Sequence, residues 1–250
     1  MEKRTSGELK RLAREFLNGN YTILIAGMLL TAFLPMLLLT PFSAGVRVRL
    51  DAVLVTFLTA AVIINVLEQL LKAGLIRMHL LRAQNQPYTY LDLFWTFRSR
   101  PDRFILAVLL FYGILLIPAA AGAVCIYFLI GIRSAIGYVL AALVSAAAVS
   151  AEIYLVYMFG LVFPLYIDHP DMSVIDGFRT SCRLMKGNKL RFFILQLSFA
   201  GWQVLGFLSA GIGSLWISPY IRQTMANFYL DLTGRLETEC LNDKDVQTGL

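Results

Sequence analysis

Apolar runs of about twenty residues recur along this chain, and no other property limits its fold as strongly. A helical run of that length, rising about 1.5 Å per residue, matches a hydrocarbon core roughly 30 Å thick. Inside such a core no water satisfies backbone N–H and C=O groups, so only helices or a closed barrel can cross it. The ten-residue segments of alternating polarity that a barrel requires do not occur in the sequence. Composition agrees. Of the 250 residues 58% are hydrophobic and 15% charged, and the mean hydropathy of +0.68 is too high for a domain bathed in water. The sequence therefore predicts an all-α polytopic membrane helix bundle.

Six spans are expected, over residues 21–40, 52–82, 104–130, 135–167, 192–208 and 215–232. The first reads as a transmembrane helix rather than a cleaved signal peptide, because no small-residue cleavage site follows it and further spans do. Pro35 and Pro118 mark kinks, and Pro87 ends the second span. The sixth holds Tyr220, Arg222, Gln223, Thr224 and Asn227, so it can cross only if these side chains face protein.

Three short stretches outside the spans share a pattern. Thr5, Thr89 and Ser173 lie 84 residues apart in succession, and each is followed three positions later by an acid, Glu8, Asp92 or Asp176. That spacing lets a side chain cap a helix start and be capped in return. Each pair opens an amphipathic segment that leads through a hinge to a helical hairpin; in the first, Leu9, Leu12, Ala13, Phe16 and Leu17 form one apolar stripe. We expect three parallel repeats of amphipathic helix plus hairpin, over about 1–84, 85–168 and 169–236, in one membrane domain with a polar tail at 237–250.

Lys and Arg concentrate between alternate spans: Lys3, Arg4, Lys10, Arg11 and Arg14, then Lys72 to Arg103, then Arg179 to Arg191. The opposite loops hold only Arg47 and Arg49, then Arg133, so both termini and all three amphipathic segments are expected on the cytoplasmic face. The net charge of +6 then implies anionic lipid rather than nucleic acid, for which no binding module is visible. Lys10, Arg11, Arg14, Arg98, Arg100, Arg103, Arg183, Lys186, Lys189 and Arg191 are the candidate headgroup contacts.

From the third amphipathic segment onward a family resemblance is visible. Ser181, MKGNK at 185–189, Phe193, LSF at 197–199, Gly201, Trp202, GIG at 211–213, Leu215, Trp216, Pro219, Tyr220, Phe228 and Tyr229 resemble a bacterial integral-membrane family classed as domain of unknown function, number 975. Gly19, Asn20 and Tyr21 extend the resemblance to the first hinge, where relatives often have Trp in place of the Tyr. The resemblance implies a bacterial plasma-membrane protein with several helices. It supplies no catalytic residues.

Among single residues Glu152 stands out, because an ionisable group in mid-span normally faces a partner, a cavity or an ion path. Arg222 is its candidate partner; the alternative is a purely structural tie between helices. In the same span as Arg222, Tyr220, Thr224, Asn227 and Asp231 form a stripe at helical spacing, lining a polar cavity or hydrogen-bonding between helices. Glu68 and Lys72 are spaced to pair along one helix. Asp168, His169 and Asp171 read as a helix-ending turn, not a metal site, and Cys125, Cys182 and Cys240 are too scattered for a disulfide framework or metal centre. No Walker loop or HExxH occurs, and Ser214 lacks a suitably placed histidine. Neither cofactor nor metal is expected. The leading expectation is a non-enzymatic protein that binds lipid or another membrane component, with self-association or a protein partner left open. The alternative is a small permease with its polar path near Glu152 and Arg222.

Overall fold

The computed structural model describes residues 4–19, 21–43 and 50–236; Lys3, Asn20, Arg47, Arg49, Cys240 and the tail 237–250 lie outside the described residues. Regular structure among the described residues is entirely helical. Helix α1 (Ser6–Leu17) precedes the long pair α2 (Tyr21–Ser43) and α3 (Leu50–Ala83), which pack on each other. A 3-10 turn (Tyr90–Phe94) and one helical turn, α4 (Trp95–Arg98), lead to a second pair. These are α5 (Pro101–Gly131) and α6 (Ala135–Met158), the latter continued by α7 (Val162–Asp168). Then come α8 (Val174–Met185), α9 (Lys189–Leu197), α10 (Ala200–Leu208) and α11 (Ser214–Leu232).

Five segments are long and apolar enough to cross a membrane: Tyr21–Thr40, Val55–Ala83, Pro101–Gly131, Ala135–Asp168 and Lys189–Leu208. Their outward faces present large apolar side chains such as Phe33, Val62, Tyr127, Ile136 and Phe207, all exposed. Such a surface suits a bilayer as its solvent. The sixth expected span, α11, is not among the five because it is too polar along its length. Its interior position explains that composition: Gln223, Thr224, Asn227, Phe228, Tyr229 and Leu230 are all fully buried within the protein.

Two expected spans are interrupted. The fourth breaks at 159–161, because Pro164 has no N–H to give the carbonyl of Gly160 and its ring crowds that carbonyl. A tight turn replaces the lost bond, with the Val162 N–H donating to Phe159 O at 3.0 Å. The fifth breaks at Ser198 and Phe199, where Lys10 of α1 donates to the Ser198 carbonyl (3.0 Å) and lies over the Phe199 ring. A backbone group left over by the broken helix thus receives a cation from a distant element.

All three cap pairs form. The Thr5 N–H donates to Glu8 (2.7 Å), the Thr89 N–H to Asp92 (2.8 Å), and the Asp176 N–H to the Ser173 hydroxyl (3.2 Å). The elements that these pairs open differ in length: α1 and α8 are three-turn helices, whereas the middle stretch is only the 3-10 turn and α4. That turn presses directly on α3, where a Cβ at Gly74 would sit 1.9 Å from the Leu93 carbonyl oxygen. Only glycine allows this approach.

The apolar stripes of α1 and α8 turn inward. Leu9, Ala13 and Leu17 are fully buried, as is Met185, and Phe178 is nearly so. Packing on α11 and α3 covers the α1 stripe within the protein.

Candidate functional site

The polar interior is organised by α11. Gln223 Nε2 donates to the His79 carbonyl (3.1 Å) and to Asn227 Oδ1 (3.3 Å), while its Oε1 lies 2.9 Å from His79 Nδ1. Asn227 Nδ2 donates onward to the Leu9 carbonyl at 3.2 Å. One chain of hydrogen bonds thus joins α3, α11 and α1. Because a carbonyl holds the Gln223 amide nitrogen, its oxygen must accept from His79, which fixes the neutral Nδ1–H tautomer. Nε2 of His79 is then a bare acceptor; it is buried and has no partner among the described residues.

On the adjacent face of α11 stands Arg222. It forms no ion pair or hydrogen bond with the described residues, although burial desolvates it. It borders a cavity of about 210 Å³ between α3, the α6–α7 break, α9 and α11, lined by Ile76, His79, Gly160, Pro164, Phe192 and Met225 among others. The break at Pro164 shapes one wall. A second hollow of about 360 Å³ shares Ile221 and Met225 with the first and reaches Tyr157, whose hydroxyl donates to Gln196 (2.9 Å).

Other predicted residues are distributed differently. Glu152 is half-buried on α6 and forms no ion pair with Arg222 or with any other described residue. Thr224 donates to the Tyr220 carbonyl (2.8 Å), and the Tyr220 ring meets Phe199 edge-on at 5.3 Å. Glu68 and Lys72 form an ion pair at 2.6 Å. Asp168 accepts from Tyr229 (2.5 Å) and Arg235 (2.8 Å), and Asp171 pairs with Arg100 at 3.0 Å. These acids bind cationic or hydroxyl side chains at the end of the bundle.

The ten candidate headgroup cations divide in two. Lys10 serves the α9–α10 break; Arg100 and Arg103 hold the 170–172 turn, Arg103 donating to the Asp171 carbonyl at 2.7 Å. Lys189 lies over the Tyr154 ring (3.7 Å), and Arg191 pairs with Asp231 at 2.5 Å. Arg11, Arg14, Arg98, Arg183 and Lys186 are exposed. Burial lowers the pKa of Lys10 and raises that of the Cys182 thiol.

Sequence reasoning required Gln223 to face protein but gave it no partner, and it missed the role of His79. Gln223 had a signal, standing four residues before Asn227 on the same helical face. His79 had none, since its partner lies 144 residues away. A family model described as "Protein of unknown function (DUF975)" matches residues 1–236. Comparison with curated proteins and with solved structures gives no match.

Proposed function

The chain belongs to the DUF975 family, and from that premise we propose a non-enzymatic, six-span bacterial plasma-membrane protein that binds lipid or another membrane component. In this reading α11 is the sixth span, screened from lipid by the others. The three cap pairs, 84 residues apart, head three tandem units related by an axis near the membrane normal, all starting on the cytoplasmic side.

The observation that supports lipid binding is the placement of Arg11, Arg14, Arg98, Arg183 and Lys186. They are exposed on short elements beside the spans, where each cation gains about 1 kcal/mol from an anionic leaflet. Native mass spectrometry of the detergent-released protein is the test. Anionic lipid should be retained, and replacing all five cations by Gln should reduce retention; a wild-type protein that keeps no lipid overturns the reading. The permease alternative draws on the cavity beside Arg222 and requires solute or proton flux in proteoliposomes that Glu152→Gln abolishes.

A further inference from the structure

We propose that the cavity between α3, the α6–α7 break, α9 and α11 binds the head of a phospholipid whose phosphate is esterified to a group with a free alcohol hydroxyl, such as glycerol. Arg222 holds the phosphate and His79 Nε2 accepts from the hydroxyl. This deepens the lipid-binding reading and rests on it. The strongest support is a pair of unmet requirements in one small space. Arg222 brings a permanent positive charge into a largely apolar chamber with no counter-charge among the described residues. A guanidinium so placed is unfavourable until an anion joins it, and its planar fork suits two phosphate oxygens.

His79 adds the second requirement. The Gln223 bonds make Nε2 an acceptor, so it cannot donate to a phosphate oxygen and instead needs an O–H from the ligand. An anion and a hydroxyl on one small head meet both needs. At about 210 Å³ the cavity lies below the usual range for whole small-molecule ligands, so it admits a compact head and leaves the acyl chains outside. The partly exposed wall residues Ile76, Gly160, Phe163 and Met225 give it an opening at the protein surface among the spans.

Depth agrees. Along their axes Arg222 is about 15 Å from the Leu232 end of α11 and His79 about 6 Å from the Ala83 end of α3. Both ends are tied to α1, Arg82 of α3 donating to the Phe16 carbonyl near its last turn (2.5 Å) and Asp231 of α11 accepting from Arg4 ahead of its first turn at 3.4 Å. The cavity therefore sits within one leaflet, below its headgroups, where a lipid can enter sideways.

The test uses the full chain in nanodiscs, with native mass spectrometry of the retained lipid. Phosphatidylglycerol competes with phosphatidylmethanol, which has the charge without the hydroxyl, and with zwitterionic phosphatidylcholine. The expected order is phosphatidylglycerol, then phosphatidylmethanol, then phosphatidylcholine. Arg222→Gln should cut the preference for both anionic lipids by about tenfold or more, as loss of a charge-assisted bond implies. His79→Asn keeps a donor for Gln223 but draws the remaining acceptor back from Nε2 to Oδ1, beside the former ring Cδ2 and out of reach of the ligand hydroxyl, so it should erase only the preference for phosphatidylglycerol over phosphatidylmethanol.

Unchanged anionic preference in a folded Arg222→Gln protein overturns the site while leaving lipid binding at the exposed cations intact. If that variant does not fold, Met225→Trp fills the cavity and keeps the charge; full retention by it is equally fatal. Soluble glycerol 3-phosphate is the remaining arm. Displacement of the bound lipid by millimolar amounts would assign the site to a free phosphate ester and overturn the lipid assignment, whereas no displacement supports it.

Discussion

At the scale of single residues, Asn227 shows how much of this interior depends on polar groups being met. Its amide joins Gln223 to the Leu9 carbonyl in a region closed to water. Asn227→Ala leaves one Gln223 donor unpaired and takes from the Leu9 carbonyl the bond it accepts beyond its helical one, so a loss of about 1–3 kcal/mol is expected, measured by unfolding in mixed detergent micelles. Glu152 is the contrast. It is half-buried and unpaired among the described residues, so Glu152→Gln should change stability by less than about 0.5 kcal/mol. A larger loss would mean that Glu152 has a structural partner in the folded protein. Prominence in the sequence and importance in the interior part company here: an acid in an apolar run is conspicuous to the eye, whereas His79 acquires meaning only through Gln223.

At the scale of elements, α1 behaves as a clamp. Leu9 and Leu17 are fully buried, Lys10 covers the α9–α10 break, and Arg82 of α3 reaches the α1 carbonyl of Phe16. Leu9→Ala should therefore cost about 2–5 kcal/mol, a core-cavity value, where an interfacial helix resting on lipid would lose far less. Its start is pH-sensitive. The hydrogen bonds from the Thr5 N–H and hydroxyl lower the pKa of Glu8. The stabilisation from this carboxylate is therefore complete above the ordinary carboxylate range and is lost as pH falls through the lowered value. Amide protection in α1, taken relative to the intrinsic exchange rate at each pH, should fall on acidification in the wild type, and Glu8→Gln should flatten that dependence. The stripe behind these predictions was legible because its period is that of a helix. Which partner buries it was not, since headgroups and α11 are equally acceptable to Leu9. The fourth span was expected unbroken; Pro164 interrupts it, and the use of that break as a cavity wall depends on α9 and α11 meeting it.

For the whole molecule, the ends of the helices supply an orientation argument. Arg103 at the start of α5 holds the 170–172 turn, Arg191 at the start of α9 binds Asp231 at the end of α11, and Arg235 binds Asp168 at the end of α7. These joints gather α1, α8 and alternate helix ends at one pole of the bundle, while the turn at Arg133 between α5 and α6 lies at the other. Geometry alone is indifferent to which pole is inside. Charge is not: the first pole holds most of the Lys and Arg, and cytoplasmic loops retain such residues. The natural Cys182 is a poor reporter because burial raises its thiol pKa and thins its reactive thiolate. A better pair is Lys186→Cys and Arg133→Cys, both at exposed positions, each in a background with Cys125, Cys182 and Cys240 changed to Ser. An impermeant maleimide added to intact cells should label the Arg133→Cys protein and spare Lys186→Cys until the membrane is opened. The reverse pattern would turn the molecule over and put the exposed cations, with the cavity mouth, in the outer leaflet.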